Sequence, residues 1–332
     1  MMSGNLSSNK NGAAENRTAA SIPPTAGFLT RQRELLRRRL WPSALTFLCF
    51  LLYHVVGTAT VVLLVLQGAS AAHMSAAQKA DQIGSFMCDI FGTHSIMSPL
   101  LAFPLAAILA IEGFAWMDDR QEVDFYESQP VPRLQRFLDI CLSGFLYFIF
   151  SYAITLEAGL LIAVGAGALT RAVLIDILLQ AVRTAAFFLS VYALGVLSAM
   201  LTGNVVIAWL AFFVLLFYET LCKTVLRAYC SVFFATWSPR SAGGLLTDLF
   251  APLYHYNSGG GTLEASLRLL ALAALYFLLA WICCRLRRNE CAGTAVVFAP
   301  VRTVVRIALS LLAGLITGLI FTAAGTSSLL PV

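Results

Sequence analysis

The sequence predicts an all-α protein, a polytopic bundle of about seven transmembrane helices. Hydrophobic residues make up 59% of the 332 residues and charged residues only 12%, about half of the roughly 25% that a soluble domain carries. Several apolar stretches also continue without a charge for the about 20 residues that a helix needs to cross the hydrocarbon core. We therefore expect most of the surface to face lipid.

The residues before the first apolar stretch divide into two segments. Residues 1–27 are rich in Ser, Asn, Ala, Gly and Thr. This composition cannot bury a core, so we predict a disordered N-terminal tail. Residues 28–40 predict a basic amphipathic juxtamembrane helix, with arginines opposite leucines. Such a helix is typical of the anionic membrane surface, and its charges also serve as an orientation signal before the first span.

The predicted transmembrane domain covers residues 41–323. The apolar stretches place seven spans at about 43–66, 98–117, 138–164, 172–200, 204–222, 264–284 and 303–323. The turn between the fourth and fifth spans is very short, so these two spans are expected to be antiparallel neighbours.

Positive charges predict the orientation of the bundle. With a cytoplasmic N-terminus, the inner side holds the N-terminal tail, the loop 118–137 and the loop 285–302, which together carry about fifteen of the 22 Lys and Arg residues. The outer side carries about six. This bias predicts a cytoplasmic N-terminus and disfavours a G-protein-coupled receptor, whose N-terminus lies outside. Residues 223–263 then form an outer loop and residues 324–332 a short outer tail, and the chain is either complete or the N-terminal membrane half of a longer protein.

Small residues recur every fourth position in two predicted spans. They are Gly195, Ala199 and Gly203 in and after the fourth span, and Gly314 and Gly318 in the last span. Small residues at this spacing let helices approach closely. The two stripes indicate either a packing or dimer face, or chance in a chain that has 23 glycines.

Charged residues inside the predicted spans are costly in lipid and usually face protein or water. Glu157 in the third span and Arg183 in the fourth fall at comparable depth, so we expect them to form an ion pair. The pair is either a structural salt bridge or the polar lining of a substrate path. Cys88 and Cys230 both fall in predicted outer loops, where they either form a disulfide or remain free thiols.

The cytoplasmic loop 118–137 carries five acidic residues on the side that is otherwise basic. Residues 118–129 predict a short helix that ends before Pro130. Val123, Phe125 and Tyr126 give this helix an apolar contact side. Exposed aromatic and acidic side chains on a short helix are typical of a docking element for a soluble partner.

The same acidic residues permit a second interpretation, a membrane-embedded metal-dependent transferase. The spacing Asp118-Asp119-x-x-Glu122 is loosely similar to the magnesium-binding motifs of membrane prenyltransferases. Such enzymes need a second acidic motif on another inner loop to hold a diphosphate between metal ions, and here the other sizeable inner loop is basic. We therefore expect neither catalytic residues nor a metal site in this chain.

Two segments resemble the permeases of ABC-type exporters of Firmicutes. Residues 122–133, Glu-Val-Asp-Phe-Tyr-Glu-Ser-Gln-Pro-Val-Pro-Arg, are similar to that family's Val-Asp-Phe/Leu-Tyr-His-Ser-Leu-Pro-x-x-Arg. Residues 290–300, Glu-Cys-Ala-Gly-Thr-Ala-Val-Val-Phe-Ala-Pro, are similar to its Glu-Ser-Ala-Gly-x-Ala-Ile-x-Phe-x-Pro. The departures are Glu127 for His, Gln129 for Leu and Cys291 for Ser. The two motifs keep the family's order and topological side, and the resemblance covers roughly residues 30–323.

The resemblance implies that the 118–133 segment is a coupling helix that docks into a separate ATPase subunit. The residues that would contact this subunit are Glu122, Asp124, Phe125, Tyr126, Glu127 and Arg133. The second motif contributes Glu290, Gly293, Phe298 and Pro300. ATP and magnesium would be bound by the partner, because this chain lacks the Gly-x-x-x-x-Gly-Lys-Ser/Thr motif of a phosphate-binding loop.

The resemblance also implies the setting, which is a bacterial plasma membrane and an alternating-access exporter. A second permease subunit, identical or different, would complete the pathway, and no nucleic-acid partner is expected. The rival interpretation from the residues alone is an ion-driven secondary transporter in which Glu157 and Arg183 are the coupling residues.

Overall fold

The computed structural model describes residues 28–328, except for 72–73, 94, 129–130, 234–249, 258–260 and 288–290. The described residues contain no strand. Their helices are α1 (Phe28–Arg38), α2 (Leu40–Phe50), α3 (Gly57–Ala71), α4 (Ala76–Phe91), α5 (Met97–Phe114), α6 (Arg120–Glu127), α7 (Arg133–Gly165), α8 (Arg171–Leu201), α9 (Val205–Phe233), α10 (Pro252–Asn257), α11 (Thr262–Leu286) and α12 (Ala299–Ser328). A π-helical segment, Leu51–Val56, joins α2 to α3, and a 3-10 segment, Ala115–Asp118, extends α5.

Seven of these helices or joined helices are long and apolar enough to cross a membrane. They are Leu40–Gly68, Met97–Asp118, Arg133–Gly165, Arg171–Leu201, Val205–Phe233, Thr262–Leu286 and Ala299–Phe321. Each overlaps one of the spans expected from the sequence. The prediction of an all-α polytopic transmembrane bundle is therefore confirmed, and the chain is a multi-pass membrane protein.

Helix α8 is the centre of the bundle, because 83% of its most apolar 18-residue stretch is buried. It packs chiefly against α5 and α11. Gly195 allows the close contact with α5, because a Cβ atom at this position would lie 2.7 Å from the Cβ of Ala110. On the α7 side, the rings of Phe148 and Phe188 stack with 3.7 Å between their centroids. The stripe that begins at Gly195 therefore packs inside the chain.

Helix α12 lies at the periphery of the bundle. Only 6% of its most apolar 18-residue stretch is buried. It packs against α9, where the Tyr218 hydroxyl donates to the Ala308 carbonyl at 3.3 Å. A Cβ atom added at Gly314 or Gly318 would meet nothing within 4 Å. This second small-residue stripe therefore has no packing role within the described residues.

Helix α1 is bound to the bundle by its polar residues. Arg31 forms a salt bridge of 3.0 Å with Asp139 of α7, and Gln32 donates to the Asp139 carbonyl at 3.3 Å. Arg39, between α1 and α2, donates to the Leu109 carbonyl of α5 at 3.2 Å. The juxtamembrane helix expected at 28–40 thus ends at Arg38, and its polar side chains contact the helix bundle.

Three segments differ from the sequence-based expectation. The stretch between the first two spans contains α4, which begins with a capping box in which the Ser75 hydroxyl accepts from the Gln78 N–H and the Gln78 side chain accepts from the Ser75 N–H. Helix α9 continues to Phe233, well into the expected outer loop 223–263, and α12 continues to Ser328, into the expected outer tail 324–332. The expected disordered tail, residues 1–27, lies outside the described residues.

Candidate partner-docking site

The two motif-bearing loops meet at one end of the bundle. Because successive spans are antiparallel, this end collects the α5–α7 connection with α6, the α8–α9 turn and the α11–α12 connection. We call it the α6 end. The opposite end, which carries α4 and α10, is the α4 end.

Arg287, just after α11, joins three elements of the α6 end. Its side chain is 2% exposed and donates to the carbonyls of Ala199 at 2.9 Å, Thr202 at 2.8 Å and Met117 at 3.0 Å. It also forms a salt bridge of 3.2 Å with Asp118. Burial lowers the pKa of Arg287 and the Asp118 carboxylate opposes this, but a guanidinium keeps its charge in proteins. The contacts hold the ends of α5, α8 and α11 together.

Helix α6 begins where Asp119 caps it. The Asp119 carboxylate accepts from the backbone N–H of Gln121 at 2.9 Å, which satisfies one of the free N–H groups of the first turn. Asp118 is engaged by Arg287. Both carboxylates of the Asp-Asp pair therefore make contacts within the protein.

Arg136, in the first turn of α7, holds the inner face of α6. Its guanidinium donates to the Tyr126 carbonyl and, at 3.4 Å, to the Val131 carbonyl. It lies 5.4 Å from the ring centroid of Trp116 and 5.5 Å from that of Tyr126, and these two rings are 4.6 Å apart. Val123 is also buried. The apolar contact side expected from Val123, Phe125 and Tyr126 thus differs from the structure, in which Val123 and Tyr126 face the protein.

The outer face of α6 is exposed and mainly acidic. Glu122, Asp124, Phe125 and Glu127 are exposed, and Phe125 keeps 43% of its surface. We call these four residues the α6 docking face. At its end, Glu127 forms a salt bridge of 3.5 Å with Arg133.

Arg133, the first residue of α7, connects the first motif to the segment that precedes the second motif. Beside its contact with Glu127, it donates to the Arg287 carbonyl at 2.7 Å. Arg133 therefore lies between the docking face and the segment that leads into the second motif, so it is a positioning residue as well as a member of the first motif.

The second motif packs on the α8–α9 turn. Gly293 N–H donates to the Gly203 carbonyl at 2.7 Å, and Gly203 N–H donates to the Thr294 carbonyl at 3.0 Å. Gly293 has a φ of +83°, a conformation that favours glycine. A Cβ atom at Gly203 would lie 2.3 Å from the Cys291 carbonyl oxygen, so both glycines are needed for this contact. Of the other motif residues, Phe298 is half-buried, Pro300 is exposed in the first turn of α12 and Glu290 lies outside the described residues.

The structure does not bring Glu157 and Arg183 together. Within the described residues no ion pair joins them, and Glu157 is exposed. Arg183 instead donates to the Thr93 carbonyl at 3.3 Å and lies 4.2 Å from the ring centroid of Tyr256. The expected pair fails because similar depth on consecutive spans does not fix which faces of α7 and α8 meet.

Cys88 and Cys230 are both free thiols in the structure. Burial raises the pKa of the Cys88 thiol, and the nearby Asp176 carboxylate adds to this effect. Cys88 is thus held in its neutral form, and of the two alternatives left open by the sequence, the structure has the free thiols.

Arg287, Arg136 and Trp116 are functional candidates that sequence reasoning missed. Arg287 stands in a basic loop on the expected inner side, where arginines are common as orientation signals. A usable signal existed, because basic side chains after a helix often bind its last carbonyls. That these carbonyls belong to α8 and α5 requires the tertiary structure.

Comparison of the chain with protein-family models finds no match, and comparison with curated proteins finds none either. The class of the protein therefore follows from the fold alone, which defines a multi-pass membrane protein, and one end of its bundle carries the exposed and mainly acidic face of α6.

Proposed function

We propose that the chain is the membrane-spanning permease subunit of an ATP-driven ABC transporter, an exporter of the bacterial plasma membrane. It is coupled to a separate ATPase subunit through the 118–133 segment, and the α6 end is cytoplasmic. The observation that carries this proposal is the difference between the two faces of α6. Its outer face is free for a partner, and its inner face is fixed to the spans.

The contacts of α6 supply a route for mechanical coupling. A displacement of α6 acts on α7 through Arg136 and on α5 through Trp116. Arg287 then joins the end of α5 to the ends of α8 and α11. Closure of an ATPase dimer beneath α6 would therefore move several spans together, which is the motion that alternating access requires.

The docking face also defines its partner chemically. Phe125 is an exposed aromatic anchor among the acidic side chains of Glu122, Asp124 and Glu127. Aromatic anchors in a pocket dominate interface energies, and charge complementarity adds rate and specificity. The partner should offer an apolar pocket with a basic rim, and the ATP and magnesium belong to that partner. A second permease subunit completes the pathway.

The rival interpretations have less support. The ion-driven carrier used Glu157 and Arg183 as a coupling pair, and these side chains do not meet in the described residues. The transferase used Asp118 and Asp119, which bind Arg287 and cap α6. Transport that persists without ATP but collapses with the proton gradient would restore the carrier. Metal-dependent turnover abolished by Asp118→Asn would restore the transferase.

Affinity purification from native membranes tests the proposal. The tagged chain is solubilised in mild detergent, and co-purifying proteins are identified by mass spectrometry. We expect an ATPase with a phosphate-binding loop to co-purify with the wild-type chain and to be depleted by Phe125→Ala. Phe321→Ala is the matched control, because Phe321 is 73% exposed at the far end of α12.

Only Phe125 is changed, because Tyr126 contacts Trp116 and Arg136 and its removal would disturb the fold of the α6 end. Equal recovery of the ATPase with both variants would move the interface away from α6. Absence of any ATPase from well-folded wild-type samples would contradict the proposal itself.

A further inference from the structure

Arg183 lies level with the beginning of α5, the second candidate span. It contacts Thr93 in the α4–α5 connection, and α5, the span that follows, begins at Met97. The neighbouring Gln180 reaches the same connection, since its amide donates to the Ser95 carbonyl at 3.4 Å. Tyr256 of α10 donates to that carbonyl at 3.3 Å. These side chains therefore surround the connection that precedes α5, and a span that begins at Met97 places this connection near the lipid headgroups.

The charge of Arg183 is not balanced by a carboxylate in the described residues. The nearest acid on α8, Asp176, accepts hydrogen bonds from the N–H of Thr93 at 3.3 Å and from its hydroxyl at 2.8 Å. Among the described residues, the Nε atom of Arg183 has no hydrogen-bond partner. An unpaired cation in or near a bilayer is costly, so this position favours an anionic group from outside the chain.

An apolar groove of about 240 Å³ lies next to the residues that surround Arg183. Tyr256 belongs both to the groove and to the surroundings of Arg183. Phe187, one turn further along α8, is 5.2 Å from the Tyr256 ring and also lines the groove. The remaining lining residues are Ile96, Pro99, Leu100, Phe103, Phe217 and Leu253.

The groove follows α5, one of the candidate membrane-spanning helices. From Ile96 to Phe103 it follows about two turns of α5, roughly 10 Å, away from the headgroup level and into the hydrocarbon region. A cation at the headgroup level with an apolar channel below it has the same polarity as an anionic phospholipid.

We propose that this groove, the Arg183 groove, binds an anionic membrane lipid. The lipid phosphate lies against the Arg183 guanidinium, and one acyl chain lies in the groove between α5, α8 and α9. This assignment goes beyond the permease function and does not depend on an ATPase partner. Within the proposed orientation it concerns the outer leaflet.

Lipid binding to the purified full-length chain tests this site. Native mass spectrometry is carried out with dioleoyl phosphatidylglycerol and dioleoyl phosphatidylcholine, which share their chains and differ in charge. We expect the anionic lipid to bind about tenfold more tightly, the difference that one charge-assisted contact provides. Arg183→Gln should abolish this preference, and Arg171→Gln, an exposed arginine of the same helix, should keep it.

Two further experiments distinguish lipid binding from the binding of a free anion and from misfolding of a variant. Leu100→Trp fills the groove at a side chain that is 57% exposed, so it should lower lipid binding while the thermal transition stays unchanged. Glycerol 3-phosphate, the headgroup without chains, should not displace the lipid. Equal binding of the two lipids, a preference retained by Arg183→Gln, unaltered binding by Leu100→Trp, or displacement by glycerol 3-phosphate would each overturn the proposal.

Discussion

Single residues decide how the α6 end is held together, and Arg287 is the clearest case. One buried guanidinium satisfies three carbonyl groups and one carboxylate that belong to the ends of different helices. Lysine could not reproduce this arrangement, because it lacks the planar set of donors. The carbonyls would otherwise be unsatisfied at the ends of α5 and α8.

Arg287→Ala should destabilise the chain by about 3 kcal/mol or more, since it leaves Asp118 half-buried without its cation. The measurement is the thermal transition of the detergent-solubilised protein, followed by tryptophan fluorescence. Arg285→Ala is the control, because Arg285 is exposed and contacts only the Trp281 ring among its described partners. Equal shifts for the two variants would mean that Arg287 is a surface charge.

The two small-residue stripes should respond differently to the same substitution. Gly195→Ala places a methyl group 2.7 Å from Ala110, and overpacking of this kind costs about 1–3 kcal/mol. Gly314→Ala meets open space and should leave the transition unchanged or raise it, because alanine favours the helix. A lower transition for Gly314→Ala would instead reveal a contact of α12 with a second chain.

At the scale of elements, α6 combines a fixed face with a free one. Its sequence predicts a short helix with exposed acids, and both features are present. The sequence could not show which aromatic side chain turns inward. Phe125 and Tyr126 are adjacent and similarly apolar, and their roles are decided by Trp116 and Arg136, which come from other elements.

Helix α4 shows the opposite case, an element that local signals could have predicted. The Ser75-x-x-Gln78 capping box precedes Ile83, Gly84, Met87 and Phe91, which are buried at helical spacing. The segment that forms α4 is too short and too polar to be a span. A search for spans alone therefore treats it as a loop.

Charge reversal on α6 should weaken association with the ATPase without loss of stability. Glu122→Lys combined with Asp124→Lys replaces two exposed acids by cations facing the basic rim that we expect on the partner. Association should fall at least about tenfold, because like charges at an interface cost more than the 1.4 kcal/mol that corresponds to this factor. The measurement is ATPase recovery per permease, with Asp81→Lys, an exposed acid of α4, as the control.

At the scale of the whole molecule, the apolar stretches were sufficient to predict the seven spans, because an apolar stretch of about 20 residues that crosses lipid forms a helix, which satisfies its backbone hydrogen bonds internally. The arrangement of the spans was not predictable in the same way. The central position of α8 and the failure of the Glu157–Arg183 pair depend on helix rotation. In a chain that is apolar on most faces, the hydrophobic pattern does not specify rotation.

The orientation of the molecule in the membrane is predicted only from the distribution of its positive charges. If the α6 end is cytoplasmic, a cysteine at Ser128 should be inaccessible to a membrane-impermeant maleimide in intact cells and should react after permeabilisation. A cysteine at Ser85 on α4 should react in intact cells, because both serines are exposed and lie at opposite ends of the bundle. The chain without these substitutions gives the background of its native cysteines. The reverse labelling pattern would place α6 outside the cell, where no ATP-driven partner could reach it, and the permease function would then fail together with the orientation.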